Sequence, residues 1–252
     1  MGGALLAGLR GANLAPDVLV VDPDPPRGPE RAVASLADIG DFRPDLVVLA
    51  VKPGLIAAIA PQLRTRLSDD VAVVSFMAGV RLARLRELLG ESPTLIRVMP
   101  NLPMALGVGV CGLYAPASAK AGALGRTIAL LEGCSLVLRV PHEDDLDAVT
   151  AISGSGPAYV FRFAESLTRA AVDLGLPLPV AEQMARQTLI GAGVQLNCDP
   201  SPFDLLCDRV ASPGGTTAQA LAVFGAAGGL DDLVGRAVKA ATARARSLAL
   251  EA

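Results

Sequence analysis

The sequence predicts an α/β protein in which a doubly wound parallel sheet is followed by an all-α second half. Short runs rich in Val and Leu alternate with helical patterns as far as about residue 141. Beyond that point only helical patterns continue, and 52% of the 252 residues are apolar, enough to build a core in both halves. We therefore expect an α/β domain at residues 1–141 and an all-helical domain at 142–252.

The elements of the first half follow from the alternation of these patterns. Uninterrupted Val/Leu runs are typical of parallel strands buried on both faces, because helices cover each side of such a sheet. Strands are expected at residues 18–21, 45–51, 71–76, 94–98, 108–114 and 136–140. Helices are expected at residues 4–9, 55–67, 82–89 and 117–132.

The second half is predicted to form six helices, and Gly175 and the Gly228-Gly229 pair mark helix ends. They are expected at residues 146–152, 158–174, 180–197, 202–210, 216–224 and 231–250. Several have few polar positions around their circumference, as in residues 185–196. Either the helices cover one another or, as we expect, a second copy of the chain buries these faces.

The opening residues resemble the middle of a nucleotide-binding motif. A dinucleotide fold normally begins with a strand, then Gly-x-Gly-x-x-Gly, then a helix. Here a helix begins almost at once, so Gly2 would be the last fingerprint glycine, and the first strand and early glycines are missing. We hypothesise a truncated or mis-started form of a longer protein. An in-frame upstream strand with Gly-x-Gly would support this, and stop codons directly upstream would refute it.

Candidate cofactor-binding residues lie where the predicted strands end. Asp22 is placed to bind the ribose 2′-hydroxyl of NAD and to repel the 2′-phosphate of NADP, or it is simply a turn residue. Arg27 and Arg31 are close enough in sequence to reverse that preference. The other candidates, each also open to a structural role in its loop, are Gly2, Ala50, Val51, Lys52, Pro53 and Asn101.

A turn between two helices, Ser-Pro-Gly-Gly-Thr-Thr at residues 212–217, is the strongest candidate for an anion site. Proline forces the turn, the glycines leave N–H groups uncovered, and the following helix directs its positive end at the same place. The plainer alternative is an ordinary helix-capping turn. A second Ser/Gly turn at residues 153–159 also opens a helix, which favours the functional interpretation.

Composition excludes several classes of function. The net charge of −3, without a basic block, argues against a nucleic-acid partner. A single histidine, His142, argues against a metal site and a Ser-His-Asp triad. The four cysteines show no CxxC spacing. The sequence also shows no leader pattern, and its long uncharged stretches contain Pro and Gly, unlike a membrane span. We therefore expect a cytoplasmic protein with reduced thiols.

Taken together, these segments resemble the pyrroline-5-carboxylate reductase family. The resemblance rests on the turns at residues 153–159 and 212–217, on shorter matches at 1–6, 50–53, 99–101 and 147–150, and on the tail at 228–248. It implies a Rossmann domain, a helical domain that forms a homodimer or a ring of dimers, and NAD(P)H as cofactor, usually NADPH. It implies reduction of 1-pyrroline-5-carboxylate to L-proline, the final step of proline biosynthesis.

The resemblance also implies roles for the residues of the second turn. The substrate carboxylate would bind there, and Thr217 would lie near the reacting ring nitrogen as the catalytic residue. The implied substrate-binding residues are Ser212, Gly214, Gly215, Thr216 and Thr217. We expect the site to form in a cleft between the domains, with the reacting carbon about 3–3.5 Å from the nicotinamide.

The chemistry agrees with the scarcity of ionisable groups. The cofactor brings the hydride and solvent can protonate the imine nitrogen, so no strong enzymic base is required. Two alternatives remain: a truncated, non-catalytic paralogue that only dimerises, and a β-hydroxyacid-type dehydrogenase. The latter needs a catalytic lysine in the helical half, where Lys239 stands alone without the expected neighbours.

Overall fold

A computed structural model describes residues 1–14, 16–24, 28 and 30–251, with side chains described as far as residue 248. The chain divides into two compact units. A sheet unit comprises Met1–Ser155 and the end of the chain from Ala241, and a helical unit comprises Gly156–Ala240. The domain boundary that the sequence predicts at residue 141 stays a prediction, since the chain's own contacts divide it about fourteen residues later.

The sheet unit alternates strands and helices as expected. Its strands are β1 (Leu19–Val21), β2 (Arg31–Val33), β3 (Leu46–Leu49), β4 (Ala72–Ser75), β5 (Thr94–Met99), β6 (Gly109–Tyr114) and β7 (Ser135–Arg139). Its helices are α1 (Gly2–Gly11), α2 (Ile56–Arg64), α3 (Leu82–Leu89), α4 (Ala121–Glu132) and α5 (Asp145–Val149). Short 3₁₀ turns at Leu36–Ile39, Pro53–Leu55 and Leu102–Leu106 and a π-helical turn at Thr150–Gly154 complete it.

The main sheet has the strand order β3-β4-β5-β6-β7 and is covered on both faces. Alternate residues of β4 enter two separate apolar clusters: Val73 packs with α2 and α3, whereas Val74 packs with α1 and the end of α4. This confirms the doubly wound α/β class. The sheet differs from the expected all-parallel arrangement at one pair, because β6 runs antiparallel to β5.

Strands β1 and β2 form a separate parallel sheet and, within the described residues, β1 pairs only with β2 and β3 only with β4. Within the described residues, β1 and β3 therefore each have one edge without a paired strand. Helix α1 begins at Gly2. Leu46, Val47 and Val48 of β3 are only half-buried, whereas every residue of β4 is buried.

α1 is held to the main sheet by close packing. Leu5 and Leu9, spaced one helical turn apart, are buried in the cluster with Val74 and Ile96. Gly8 allows this approach, because an added Cβ would collide with the carbonyl oxygen of Met104 and the side chain of Cys134. The start of α1 is thereby fixed on the sheet rather than free.

A buried ion pair joins β5 to the loop before α5. The side chain of Arg97 is 2% exposed, and its Nη1 donates to Oε1 of Glu143 at 2.8 Å. The same oxygen accepts the N–H of Leu82 at 2.8 Å, at the first residue of α3. Arg81 adds ion pairs to Asp144 and to the buried Asp147. One carboxylate therefore ties a strand, a helix start and the approach to α5 together.

The helical unit contains α6 (Gly156–Asp173), α7 (Leu178–Cys198), α8 (Phe203–Val210), α9 (Thr216–Phe224) and the first half of α10 (Leu230–Glu251). Phe163 of α6 and Phe224 of α9 meet edge to face, with ring centroids 6.3 Å apart. Many apolar side chains stay exposed in the single chain, among them Met184, Ile190 and Val194 of α7. The helices do not cover one another, so the expectation of an apolar face for a second copy stands.

Within the described part of the chain, no helix combines the length and apolar character needed to cross a membrane.

Glu143→Ala is expected to lower the free energy of unfolding by about 3 kcal/mol, because it leaves the buried Arg97 charge without a partner. Urea denaturation followed by circular dichroism measures this. Glu91→Ala is the matched control, since it removes an exposed pair with Arg86 and should cost no more than about 1 kcal/mol. Equal effects of the two substitutions would contradict the role given to Glu143.

Candidate functional site

The start of α1 lies beside the carboxyl end of β3. Gly2 is the first residue of the helix, and an added Cβ there would lie 3.3 Å from Cβ of Ala50. The N–H groups of Ala4 and Leu5 donate to the carbonyl of Met1, at 2.9 and 3.1 Å. The N–H groups of Gly2 and Gly3 precede these bonds and have no helical acceptor. A glycine-lined helix start at a strand end is the arrangement that binds phosphate groups.

The segment after β3 presents the remaining candidates of this edge. Ala50 and Lys52 are exposed, and Val51 and Pro53 are half-buried. The carbonyl of Lys52 accepts the N–H of Leu55 at 2.9 Å, which closes a 3₁₀ turn that begins at Pro53. The structure records no ion-pair partner for the Lys52 ammonium among the described residues. Gly2 and this segment are thus brought together, and their roles towards a cofactor stay predictions.

Asp22 follows β1 directly and its side chain is exposed. Its N–H donates to the carbonyl of Val33 at 3.1 Å, and its Oδ1 accepts the N–H of Asp24 at 2.9 Å. The backbone therefore holds one carboxylate oxygen and leaves the other towards solvent. Arg27, named in the sequence analysis as able to reverse the cofactor preference, lies outside the described residues.

Asn101 is buried, with 7% of the residue exposed, and both ends of its amide are engaged. Oδ1 accepts the N–H of Val110 at 2.9 Å, and Nδ2 donates to the carbonyl of Ser153 at 3.1 Å. It therefore pins the start of β6 to the π-helical turn. These contacts support the structural role in the loop, and one hydrogen of the Asn101 amide remains for a contact to the cofactor.

The turn before α9 has an open backbone. Gly214 has a φ of +71°, which side chains disfavour, and the N–H of Gly215 donates to the carbonyl of Ser212 at 2.9 Å. The Ser212 hydroxyl lies so close over Gly215 that an added Cβ would collide with it. Thr216 is exposed and Thr217 half-buried at the first two helical positions.

This turn gathers several donors around one point. No side chain caps α9, and the N–H groups of its first residues lack intrahelical acceptors. The Ser212 hydroxyl adds another donor beside them. The turn can hold a small anion such as a carboxylate, with the helix dipole adding to the attraction. The structure thus brings together Ser212, Gly214, Gly215, Thr216 and Thr217, and it places them in the helical unit.

Two features of the motif at residues 153–159 were not apparent from the sequence. Thr150–Gly154 forms a π-helical turn, a rare conformation that is frequent at functional sites. The hydroxyl of Tyr159 is buried with no hydrogen-bond partner among the described residues. A π-helical turn depends on a hydrogen-bond pattern that the residue types alone do not determine. Burial of the Tyr159 hydroxyl depends on packing against residues that are distant in the chain. Neither feature therefore has a signal in the sequence.

Burial disfavours the thiolate form of the two buried cysteines, Cys111 and Cys134. Burial raises the pKa of Cys111 to about 11, with Cys134 adding to the shift and a hydrogen bond with Ser135 opposing it. Burial likewise raises the pKa of Cys134. The described residues contain no group of three or more metal-ligating side chains placed to hold an ion. The chemistry open to this arrangement is anion binding by backbone amides and hydroxyls.

Comparison with known proteins gives one consistent result. A family model described as pyrroline-5-carboxylate reductase dimerisation matches residues 143–248. A pyrroline-5-carboxylate reductase from Pseudomonas aeruginosa is 39% identical over 206 residues, which cover 81% of this chain and 75% of that protein. The match to the dimerisation model supports homo-oligomerisation through the half of the chain that exposes the apolar helix faces.

Solved structures agree with this result. A pyrroline-5-carboxylate reductase from Coxiella burnetii has a TM-score of 0.89 at 31% identity, covering 98% of this chain and 94% of that chain. A Plasmodium falciparum pyrroline carboxylate reductase, solved with NADP bound, has a TM-score of 0.85 at 27% identity, covering 99% and 94% of the two chains.

Gly214→Ala is expected to destabilise the chain by about 1 kcal/mol, because its positive φ is strained for any residue with a Cβ. Gly125→Ala, at an exposed position inside α4 with open space around it, should instead stabilise by about 0.5–1 kcal/mol. Urea denaturation of both variants tests the turn geometry. A stabilising effect of Gly214→Ala would show that this turn is not built as described.

Proposed function

Because the chain belongs to the pyrroline-5-carboxylate reductase family, we propose that it reduces 1-pyrroline-5-carboxylate to L-proline with a hydride from NADH or NADPH, the final step of proline biosynthesis. The observation that carries this proposal is the turn at residues 212–217. There, open amides and a serine hydroxyl are gathered at the start of α9. The substrate is a small carboxylic acid, and this turn offers what a carboxylate binds.

Carboxylate binding is proposed to use the backbone more than charged side chains. The N–H groups of Thr216 and Thr217 and the hydroxyl of Ser212 would donate to the two oxygens. Gly215 allows the serine hydroxyl to fold over the turn, since a Cβ at that position would displace it. Gly214 supplies the left-handed conformation that the turn requires. The arrangement binds an anion without a buried cation that would also need a partner.

Thr217 is the proposed catalytic residue. It is half-buried one residue beyond Thr216, so its hydroxyl is partly shielded from bulk water. A hydroxyl can accept a hydrogen bond from the protonated imine nitrogen and donate one to the amine that forms. The proton itself can come from solvent when the iminium is the bound form. No strong base is required, which fits a chain with one histidine.

The residues of the sheet unit fit a dinucleotide. The open amides of Gly2 and Gly3 would bind phosphate oxygens, and a Cβ added at Gly2 would make a tight contact with Ala50, 3.3 Å from its Cβ. Lys52 would face phosphate or ribose, alongside Ala50, Val51 and Pro53. When bound, NADH or NADPH supplies the hydride. The protein's part is to bind and orient the cofactor and the imine.

We further propose a cytoplasmic homodimer. Exposed Ile190 and Val194 share one face of α7, and the other helices of this unit also leave apolar side chains uncovered, which supports burial against a second copy. The free thiols of Cys111, Cys134, Cys198 and Cys207 support a reducing compartment. A ring of dimers, implied by the family resemblance, stays a prediction. Neither the non-catalytic paralogue nor the β-hydroxyacid dehydrogenase gains support from the comparisons.

The direct test is an assay of the purified chain with 1-pyrroline-5-carboxylate and each reduced cofactor. Consumption of the cofactor is followed by absorbance, and L-proline is identified by mass spectrometry. The proposal predicts proline formation that depends on both the imine and the cofactor. Cofactor binding without proline formation would refute the reductase assignment for this chain.

Thr217→Ala is expected to lower kcat about 10²-fold, in the range of a lost catalytic hydrogen bond, while the Kd for NADH or NADPH changes little. Thr217→Ser keeps the hydroxyl and should retain most of the activity. Steady-state kinetics and cofactor fluorescence titration measure the two quantities. Equal kcat for the alanine variant and the parent would rule out the role assigned to Thr217.

Ser212→Ala is expected to raise KM for the imine about tenfold, in line with loss of one hydrogen bond to a charged group. Cofactor Kd should stay unchanged. Ser201→Ala, another position before a helix of the same unit, is the matched control and should leave KM unaltered. An unchanged KM for Ser212→Ala would count against the carboxylate site.

A further inference from the structure

Membership of the family does not decide whether this chain binds NADH or NADPH, which differ at the adenosine end of the cofactor. An acid at the end of the strand that follows the phosphate turn binds the ribose 2′-hydroxyl of NADH, whereas a 2′-phosphate needs a nearby cation. Asp22 occupies that place, directly after β1. We propose that this chain binds NADH in preference to NADPH and that Asp22 determines the choice. The inference rests on the proposed function for the presence of a dinucleotide, but its test does not depend on turnover.

The carboxylate of Asp22 is held in position and is available. Its Oδ1 accepts the N–H of Asp24 at 2.9 Å, so the side chain cannot rotate freely. The residue is exposed, and no ion pair to it is recorded among the described residues. The remaining oxygen can accept hydrogen bonds from a ribose hydroxyl.

The described arginines around β1 and β2 are engaged elsewhere. Nε of Arg10 donates to Oε1 of Glu30 at 2.7 Å, and its Nη2 lies 3.4 Å from Oε2, so this guanidinium is neutralised. The guanidinium of Arg31 stacks over the ring of Phe42, with 5.4 Å between Cζ and the ring centroid. Binding a 2′-phosphate through either side chain would require it to leave its present partner.

Among the described residues of this turn, the balance of charge opposes a 2′-phosphate. Asp22 and Asp24 lie within three residues of each other in one exposed turn, and the cationic Arg10 is paired with an acid. A 2′-phosphate brings about two negative charges to this turn, whereas a 2′-hydroxyl brings a donor that Asp22 can satisfy. Repulsion of the 2′-phosphate of NADPH and a hydrogen bond to the 2′-hydroxyl of NADH both favour NADH. Arg27 lies outside the described residues, so the experiment includes it.

The test is equilibrium binding of NADH and NADPH to the purified chain, measured by fluorescence titration. The parent is expected to bind NADH at least about tenfold more tightly than NADPH. Competition with 5′-ADP and 2′,5′-ADP, which lack nicotinamide, should reproduce that order and locate the discrimination at the adenosine end. Higher salt should reduce the difference between the NADH and NADPH affinities, because salt screens the exposed charge of Asp22.

Three variants separate the contributions. Asp22→Ser should bring the NADPH and NADH affinities to within about threefold of each other, and Asp22→Asn should improve NADPH binding while keeping a hydrogen-bond acceptor for ribose. Asp24→Asn removes the same charge from the neighbouring residue and should shift the ratio much less. Arg27→Ala should leave the preference of the parent in place.

Tighter binding of NADPH by the parent would overturn the inference, and loss of that binding in Arg27→Ala would show that Arg27 holds the 2′-phosphate instead. An NADH/NADPH ratio unchanged by Asp22→Ser would also overturn it. Failure of the proposed function is distinguishable: the expected binding ratios with no proline formed from either cofactor would refute the reductase assignment and leave the inference intact.

Discussion

The proposed carboxylate site depends on backbone amides that have no hydrogen-bond acceptor within the helix at the start of α9. Missing side-chain caps alone do not distinguish this helix, since α2, α3 and α4 lack them as well. What distinguishes it is the glycine pair before it. Gly214 adopts a positive φ that residues with a side chain disfavour, and the absence of a side chain at Gly215 leaves room for the Ser212 hydroxyl. Donors then surround a single point with no side chain filling it. The start of α1 repeats the principle with Gly2 and Gly3.

Recognition of anions by backbone amides also explains why the proposed carboxylate site needs no arginine or lysine side chain. A charged side chain would have to be desolvated and paired, at a cost that amides and a helix dipole avoid. Arg97, one of the buried charges among the described residues, is paired with Glu143 and serves to fasten β5 to α3 and the loop before α5. Asn101 fastens β6 to the π-helical turn in a similar way. Buried polar groups here build the frame, and the open amides are left for ligands.

Much of the fold was predictable from the sequence because its elements have strong local signals. Helices α3 and α9 match the predicted bounds, and β4, β5 and β6 differ by one or two residues at their ends. The strand β2 was missed because it has only three residues, two of them exposed, next to a proline-rich segment. The antiparallel direction of β6 was missed because an apolar run looks the same in either direction. Helix α5 was predicted as longer, and the chain instead changes to a π turn at Thr150.

The sequence predicts the parts of the candidate site whose residues are neighbours in the chain, but not the contacts between residues that are far apart in the chain. Residues 212–217 lie together because they are one turn. The partners of Asn101 are nine and fifty-two residues away, and the Arg97–Glu143 pair spans forty-six, so no spacing predicts them. The engagement of Arg10 with Glu30, which bears on the environment of Asp22, is equally a product of the fold.

A crystal structure of the protein with L-proline and the oxidised cofactor would test the central claim most directly. The account predicts that the proline carboxylate lies within about 3 Å of the N–H groups that open α9 and of the Ser212 hydroxyl. A carboxylate bound instead by an arginine or lysine side chain, with the 212–217 turn empty or covered, would contradict it.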